Sequence, residues 1–252
     1  AGHRRYLANV ADRHYEEDYF APKVFREAMR FVEDNRNDDF CLVVDCFDPH
    51  EPWDPPRWYW ELYDPGYEGQ DLIWPPYGPT DDLTRAEIDH IRALFAGEVT
   101  MVDKWLGLFV EKMRALQLLD DTLLMVVSDH GHSLGEHNVI GKLSHCQYPE
   151  LVDIIFMIWE PGGEGAGRVI DEFVYDHDIL PTALARLGIG YDDLKEVRDG
   201  IIQAATDNHA GADVCRLWSA FASFGLGTDA VSGGSGSTSP TNGFSVPGAC
   251  LA

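Results

Sequence analysis

Between Ala21 and Asn35 the apolar residues Val24, Phe25, Ala28, Met29 and Val32 recur at three- and four-residue intervals. That is the period of a helix with one buried face. The pattern then changes. Phe40–Phe47, FCLVVDCF, is a short, nearly continuous apolar run and predicts a strand covered on both faces. The prolines of DPHEPWDPP end it and stiffen an irregular loop. Residues 54–80, rich in Pro, Trp, Tyr and Asp, predict a long surface excursion on the substrate side. Helical spacing returns over Thr84–Leu119, capped by Asp82 or Thr84 and broken near Gly97 or Gly107. There Val99, Val102, Leu106 and Phe109 share a face, so Glu98 and Asp103 read as parts of a packed amphipathic helix rather than catalytic carboxylates, with Trp105 in the core.

Two further strands are predicted, DTLLMVVS (Asp121–Ser128) and DIIFMIWEPGG (Asp153–Gly163), the second closed by a Pro-Gly turn. DHDILPTALARLGI (Asp176–Ile189) begins with a capping Asp and reads as a helix stopping at Gly188 or Gly190. This order describes an α/β fold with a largely parallel sheet flanked by helices. The chain then runs through a helical piece into GLGTDAVSGGSGSTSPTNGFSVPGACLA, whose Gly and Ser content and low charge predict a flexible tail.

Charge narrows the chemistry. The 252 residues are 45% hydrophobic, enough for one large domain or two smaller ones, and carry 43 acidic against 19 basic residues, a formal charge of −24. Such a balance argues against nucleic acid and against anionic membrane as partners, both of which call for a positive field. It also means that an anionic substrate would need positive charge concentrated locally. No apolar run reaches the roughly 18 residues of a membrane span. The first twenty residues lack the apolar core of a signal peptide. The five cysteines, 41, 46, 146, 215 and 250, form no CxxC pair. Compartment and oligomeric state are left open.

Two strand ends carry the candidate chemistry: Asp48-Pro49-His50-Glu51-Pro52-Trp53 and Asp129-His130-Gly131-His132. In open α/β sheets ligands bind beyond the carboxyl ends of the strands, so parallel strands would bring both sequences to one edge. Asp129 and His130 offer an oxygen and a nitrogen ligand on a tight turn, suited to Mn, Zn, Fe or a tolerant Ca or Mg site; alternatively Asp129 caps a turn and His130 is polar surface. Gly131 supplies either a positive φ or room for a close backbone approach. Lys142 either neutralises a sulfate or phosphate oxygen or is a solvated charge. His50, on a rigid loop, is a general acid or anion-binding group, or a partly buried His bonded to backbone. His132, His137 and His145 are each either substrate-facing or structural, while Asp48 and Glu51 read as turn and charge-balancing residues.

Taken together, FCLVVDCF entering DPHEPWDPP, then LFAGEVTMVDKWLG, DDTLLMVVSDHGHSLGEHNVIGK, DIIFMIWEPGG and DHDILPTALARLGI resemble the sulfatase family of the alkaline-phosphatase superfamily over about residues 1–193. The His that follows Asp129 is most similar to the sulfatase and phosphonate-monoester or phosphodiester hydrolase branch. The resemblance implies a metal-dependent hydrolase of small anionic esters, sulfate esters first. Asp129 and His130 would be two ligands of a divalent metal such as Ca or Mn. Lys142 would hold the ester, and His50 would contact it or protonate the leaving alcohol. The family's Cys/Ser-x-Pro-x-Arg motif, source of its formylglycine nucleophile, occurs nowhere in these residues, and the early Asp pair of the metal site is absent. The resemblance therefore implies the later part of a sulfatase domain, N-terminally truncated, which binds metal weakly and is inactive alone.

The segment VRDGIIQAATDNHAGADVCRLWSAFASFGLGTDA with NGFSVPGAC resembles the end of a fungalysin-type metallopeptidase over about residues 196–252, without an HExxH zinc helix. Two domains are thus expected, 1–193 and 194–252, and the second resemblance implies that Cys215 and Cys250 pair in an oxidising compartment.

Overall fold

The computed structural model describes residues 2–172 and 174–188, with positions 198, 199, 202, 203, 214, 215, 218, 245, 247 and 250 beyond them. The chain divides into two compact units, Ala1–Val169 and Ile170–Ala252. The junction expected at 193–194 and most of the Gly- and Ser-rich tail lie outside the described residues.

In the first unit the helices follow the hydrophobic period. α1 is Gly2–Asn9, and α2 is Phe20–Asp34. α2 buries Ala21, Phe25, Ala28 and Val32 against Met101, Trp105 and Phe109 of a longer helix. A short turn, α3 (Arg57–Trp60), precedes that long helix, α4 (Arg85–Ala115). Thr84 caps α4: its Oγ1 accepts the Glu87 N–H at 3.2 Å, and Glu87 Oε2 accepts the Thr84 N–H at 2.7 Å. α4 runs unbroken through both glycines that were expected to interrupt it. Gly97 serves packing instead, since a Cβ there would lie 2.9 Å from Pro55 Cγ and 3.0 Å from Trp60 N.

The expected parallel sheet is not what forms. Every strand pair among the described residues is antiparallel. β1 (Gly78–Pro79), β4 (Val139–Gly141) and β3 (Ser133–Leu134) make one sheet in the order β1-β4-β3, and β2 (Leu124–Val127) pairs with β5 (Phe156–Trp159). Phe40–Phe47 forms no regular secondary structure and belongs to neither sheet. Its apparent continuity hides an alternation. Phe40, Leu42, Val44 and Cys46 pack on the α2–α4 core, while Cys41, Val43, Asp45 and Phe47 face outward, Val43 at 83% exposure. Only one face is covered, whereas parallel strands are covered on both. A short helix, α5 (Pro149–Val152), precedes β5.

In the second unit, α6 (Ile179–Arg186) ends before Gly188, which has φ +67°. The Asp178 carboxylate accepts the Tyr175 N–H at 2.8 Å rather than capping α6. Cys215 and Cys250 form a disulfide with Cα atoms 5.2 Å apart.

α4 also buries an acid. Glu98 is 2% exposed. Its Oε1 accepts the Asp54 N–H at 3.1 Å, and its Oε2 has no hydrogen-bond partner among the described residues. Burial first, then repulsion from Asp48 and Asp54, raises its pKa well above the usual 4.5. The folded chain therefore holds this proton more tightly than the unfolded chain does. The stability it contributes is complete below the unfolded pKa and is lost as pH rises toward the folded value. Glu98→Gln carries no charge. In thermal melts across pH it should gain on the wild type as pH rises above the usual carboxylate range, by about 1–3 kcal/mol. Parallel pH profiles for the two proteins would contradict this.

Candidate active site

Three short strands set the stage. β1 and β3 both run antiparallel to β4, with Gly78 opposite Ile140 and Ser133 opposite Gly141. The residue before β1, the residue before β3 and the residue after β4 therefore meet at one end of the sheet: Tyr77, His132 and Lys142. Gly141, at φ +111°, is required here because a Cβ would fall 2.5 Å from Tyr77 Cγ.

The 48–56 loop adds His50 and Glu51. Trp53, fully buried, anchors it: its N–H donates to Ile73 O at 2.7 Å and its Nε1–H to Pro49 O at 2.9 Å. The indole meets His132 edge to face, centroids 4.9 Å apart. At the loop's start the Asp48 carboxylate accepts the Ala21 N–H at 2.8 Å.

At the centre, Lys142 Nζ lies 2.6 Å from His50 Nε2 and 3.4 Å from Glu51 Oε2. His50 Nδ1 is 2.6 Å from the Glu51 carbonyl. A carbonyl only accepts, so Nδ1 carries hydrogen; an ammonium only donates, so Nε2 is bare. The contacts thus select the neutral Nδ1–H tautomer of His50. Glu51, 3% exposed, also accepts the Tyr77 hydroxyl and lies 3.7 Å from His132 Nδ1. Burial alone would raise its pKa, but the Tyr77 hydroxyl first, then a backbone N–H and the charge of Lys142, more than reverse this and hold it below the usual range. Burial above all, opposed by Glu51 and aided by Lys142, pushes His132 down to about 4. His132 Nε2 is buried without a hydrogen-bond partner among the described residues.

Asp129 and His130 lie two or three residues before His132 and open outward. The Asp129 side chain is 83% exposed and its Oδ2 is 3.6 Å from His130 Nε2. Its Oδ1 accepts the His130 N–H at 2.8 Å, and His130 Nδ1–H donates to Gly131 O at 2.8 Å. Gly131 is needed for close approach, not for φ, since a Cβ would sit 2.0 Å from Glu150 O. Among the described residues no three His, Cys, Asp or Glu side chains converge as a metal site. The donors present do not complete the metal centre implied by the resemblance.

Sequence reading singled out His50 and Lys142, and the fold brings them together. It missed Glu51 as more than a charge-balancing residue, and it missed Tyr77 altogether. His137 stacks on Tyr148, centroids 3.8 Å apart. His145 is exposed.

An ammonium from the residue after β4 and an imidazole and a buried carboxylate from the 48–56 loop thus meet at one end of the β1-β4-β3 sheet. Residues 2–189 match the sulfatase family model, and the chain belongs to that family. A shorter stretch, residues 192–230, matches the model of the fungalysin metallopeptidases (M36). The chain is similar to an arylsulfatase of Clostridium perfringens, 29% identical over 165 residues, 58% of this chain and 33% of that protein. It is also similar to a choline-sulfatase of Rhizobium meliloti, 24% identical over 203 residues, 73% of this chain and 38% of that protein. It thus spans between about a third and two fifths of the length of these relatives. In fold it is similar to the phosphonate monoester hydrolase of Agrobacterium radiobacter, with TM-score 0.58 and 24% identity over 70% of this chain and 40% of that one.

Tyr77→Phe would strip a donor from the buried Glu51 carboxylate. A cost of about 1–3 kcal/mol is expected in urea unfolding at neutral pH, shrinking as pH falls and Glu51 takes up a proton. Unchanged stability at neutral pH would contradict the arrangement.

Proposed function

We propose that this chain is the ester-binding part of a sulfatase-family hydrolase whose substrate is a sulfate ester held by Lys142 and His50. The observation that carries the reading is the 2.6 Å contact between these two side chains, 92 residues apart in sequence. Lys142 supplies the positive charge that an oxyanion needs in a chain of net charge −24. His50 contacts the ester or, once Nε2 has taken up a proton from solvent water, returns that proton to the leaving alcohol oxygen. A cavity of about 480 Å³ lined by Glu51, Trp74, Pro75, Pro76 and Tyr77 adjoins the cluster and receives the organic part of the ester.

Hydrolysis also requires a nucleophile, and no Cys/Ser-x-Pro-x-Arg sequence occurs in the 252 residues. The chain alone therefore binds the ester without turning it over. Asp129 and His130 are its two contributions to a divalent-metal site for Ca or Mn. Two donors bind such an ion weakly. A phosphonate monoester or phosphodiester is the second reading, because the groups present engage oxyanion oxygens and none reads the central atom.

Calorimetric titration with phenyl sulfate should show binding that Lys142→Ala abolishes while the fold persists, and no phenol should be released by either protein. Equal binding by the Lys142→Ala variant would overturn the assignment of the site, and phenol release above that variant would overturn the inactivity. Titration with Mn²⁺ or Ca²⁺ alone should give weak binding that the Asp129→Ala, His130→Ala double variant loses. Retention of binding in that variant would remove both residues from the metal site.

A further inference from the structure

We propose that Glu51 makes this site selective for singly charged esters and against doubly charged phosphate monoesters. The inference rests on the reading of Lys142 and His50 as the anion site. Glu51 Oε2 lies 3.4 Å from Lys142 Nζ. Any oxyanion seated on that ammonium is consequently placed within a few ångströms of a second negative charge. The carboxylate is fixed there, buried, with the Tyr77 hydroxyl donating to one oxygen and Lys142 facing the other.

The charge balance around it is tight. The groups facing Glu51 are Lys142, His50, His132 and Tyr77. Of these, Lys142 is the full positive charge set against Glu51, at 3.4 Å, and the contacts make His50 the neutral tautomer. Glu51 and Lys142 therefore cancel before substrate arrives. A singly charged ester raises the local count to one negative charge, and a doubly charged ester raises it to two, inside a partly buried pocket where like charges are poorly screened. Sulfate monoesters, phosphonate monoesters and phosphodiesters all carry one charge. Phosphate monoesters carry close to two above their second pKa near 6. Glu51 separates these groups by charge without recognising sulfur or phosphorus.

The test is calorimetric binding to the unmodified chain at about pH 8, where phenyl phosphate is the dianion, with phenyl sulfate and methyl phenyl phosphate as the two monoanions. Both monoanions should bind, and phenyl phosphate should bind at least about tenfold more weakly. Glu51→Gln, checked by circular dichroism for retained fold, should strengthen phenyl phosphate binding about tenfold and close most of the gap. Phenyl phosphate binding the unmodified chain as tightly as phenyl sulfate would overturn the proposal whether or not the variant folds. So would a folded Glu51→Gln variant with the gap unchanged. Either of those results, with the monoanions still binding, leaves the Lys142–His50 site standing. Absence of binding by all three esters would bring down the site and the charge filter together.

Discussion

The structure around the site depends on one constraint: a lysine ammonium withdrawn from water must be matched. Lys142 is drawn in between His50 and Glu51, its side chain 16% exposed. Desolvating a cation costs several kcal/mol unless charge and hydrogen bonds answer it. Glu51 answers the charge and His50 Nε2 accepts a hydrogen bond. Glu51 is itself buried and needs the Tyr77 hydroxyl. Three separate pieces of backbone place these groups, the 48–56 loop for His50 and Glu51, the residue before β1 for Tyr77 and the residue after β4 for Lys142, so the cluster exists only when all three are assembled.

α4 is the element on which that assembly leans. Gly97 lets the 48–56 loop and α3 press against the helix, and Glu98 holds the Asp54 N–H. One turn from its start, buried His90 meets Asp64 through Nδ1 at 3.1 Å and Asp71 through Nε2 at 2.9 Å, with Tyr67 stacked on its ring. These contacts tie down the segment after α3, which leads to Trp74 and Tyr77 and so to one wall of the site. The excursion expected at 54–80 is thus partly core: Tyr59, Trp60, Ile73 and Pro75 are buried.

Much of this was legible where one face of one element decides the outcome. α2 and α4 follow directly from apolar spacing, and Trp105 is core as its helical position implies. The sheet was misread because an apolar run does not reveal whether one face or two are covered, and Val43 stands in the open. The reasoning that joined the two strand ends assumed parallel strands. His50 and Lys142 nevertheless meet, through the antiparallel β1-β4-β3 sheet and the 48–56 loop. Glu51 and Tyr77 could not be paired from the sequence, since nothing local links a loop carboxylate to a tyrosine 26 residues later. Asp129 and His130 carried a clear ligand signature, yet the fold turns them to solvent with no third donor beside them among the described residues.

The central claim is that Lys142 donates to a bare His50 Nε2 whose partner nitrogen is held by the Glu51 carbonyl. Long-range ¹H–¹⁵N correlation spectra of the imidazoles at neutral pH, with His50 assigned through a His50→Gln variant, report this directly. The account predicts a hydrogen on Nδ1 and none on Nε2, with the pattern altered in Lys142→Ala. A hydrogen on Nε2, in either the other neutral tautomer or the imidazolium, would contradict it.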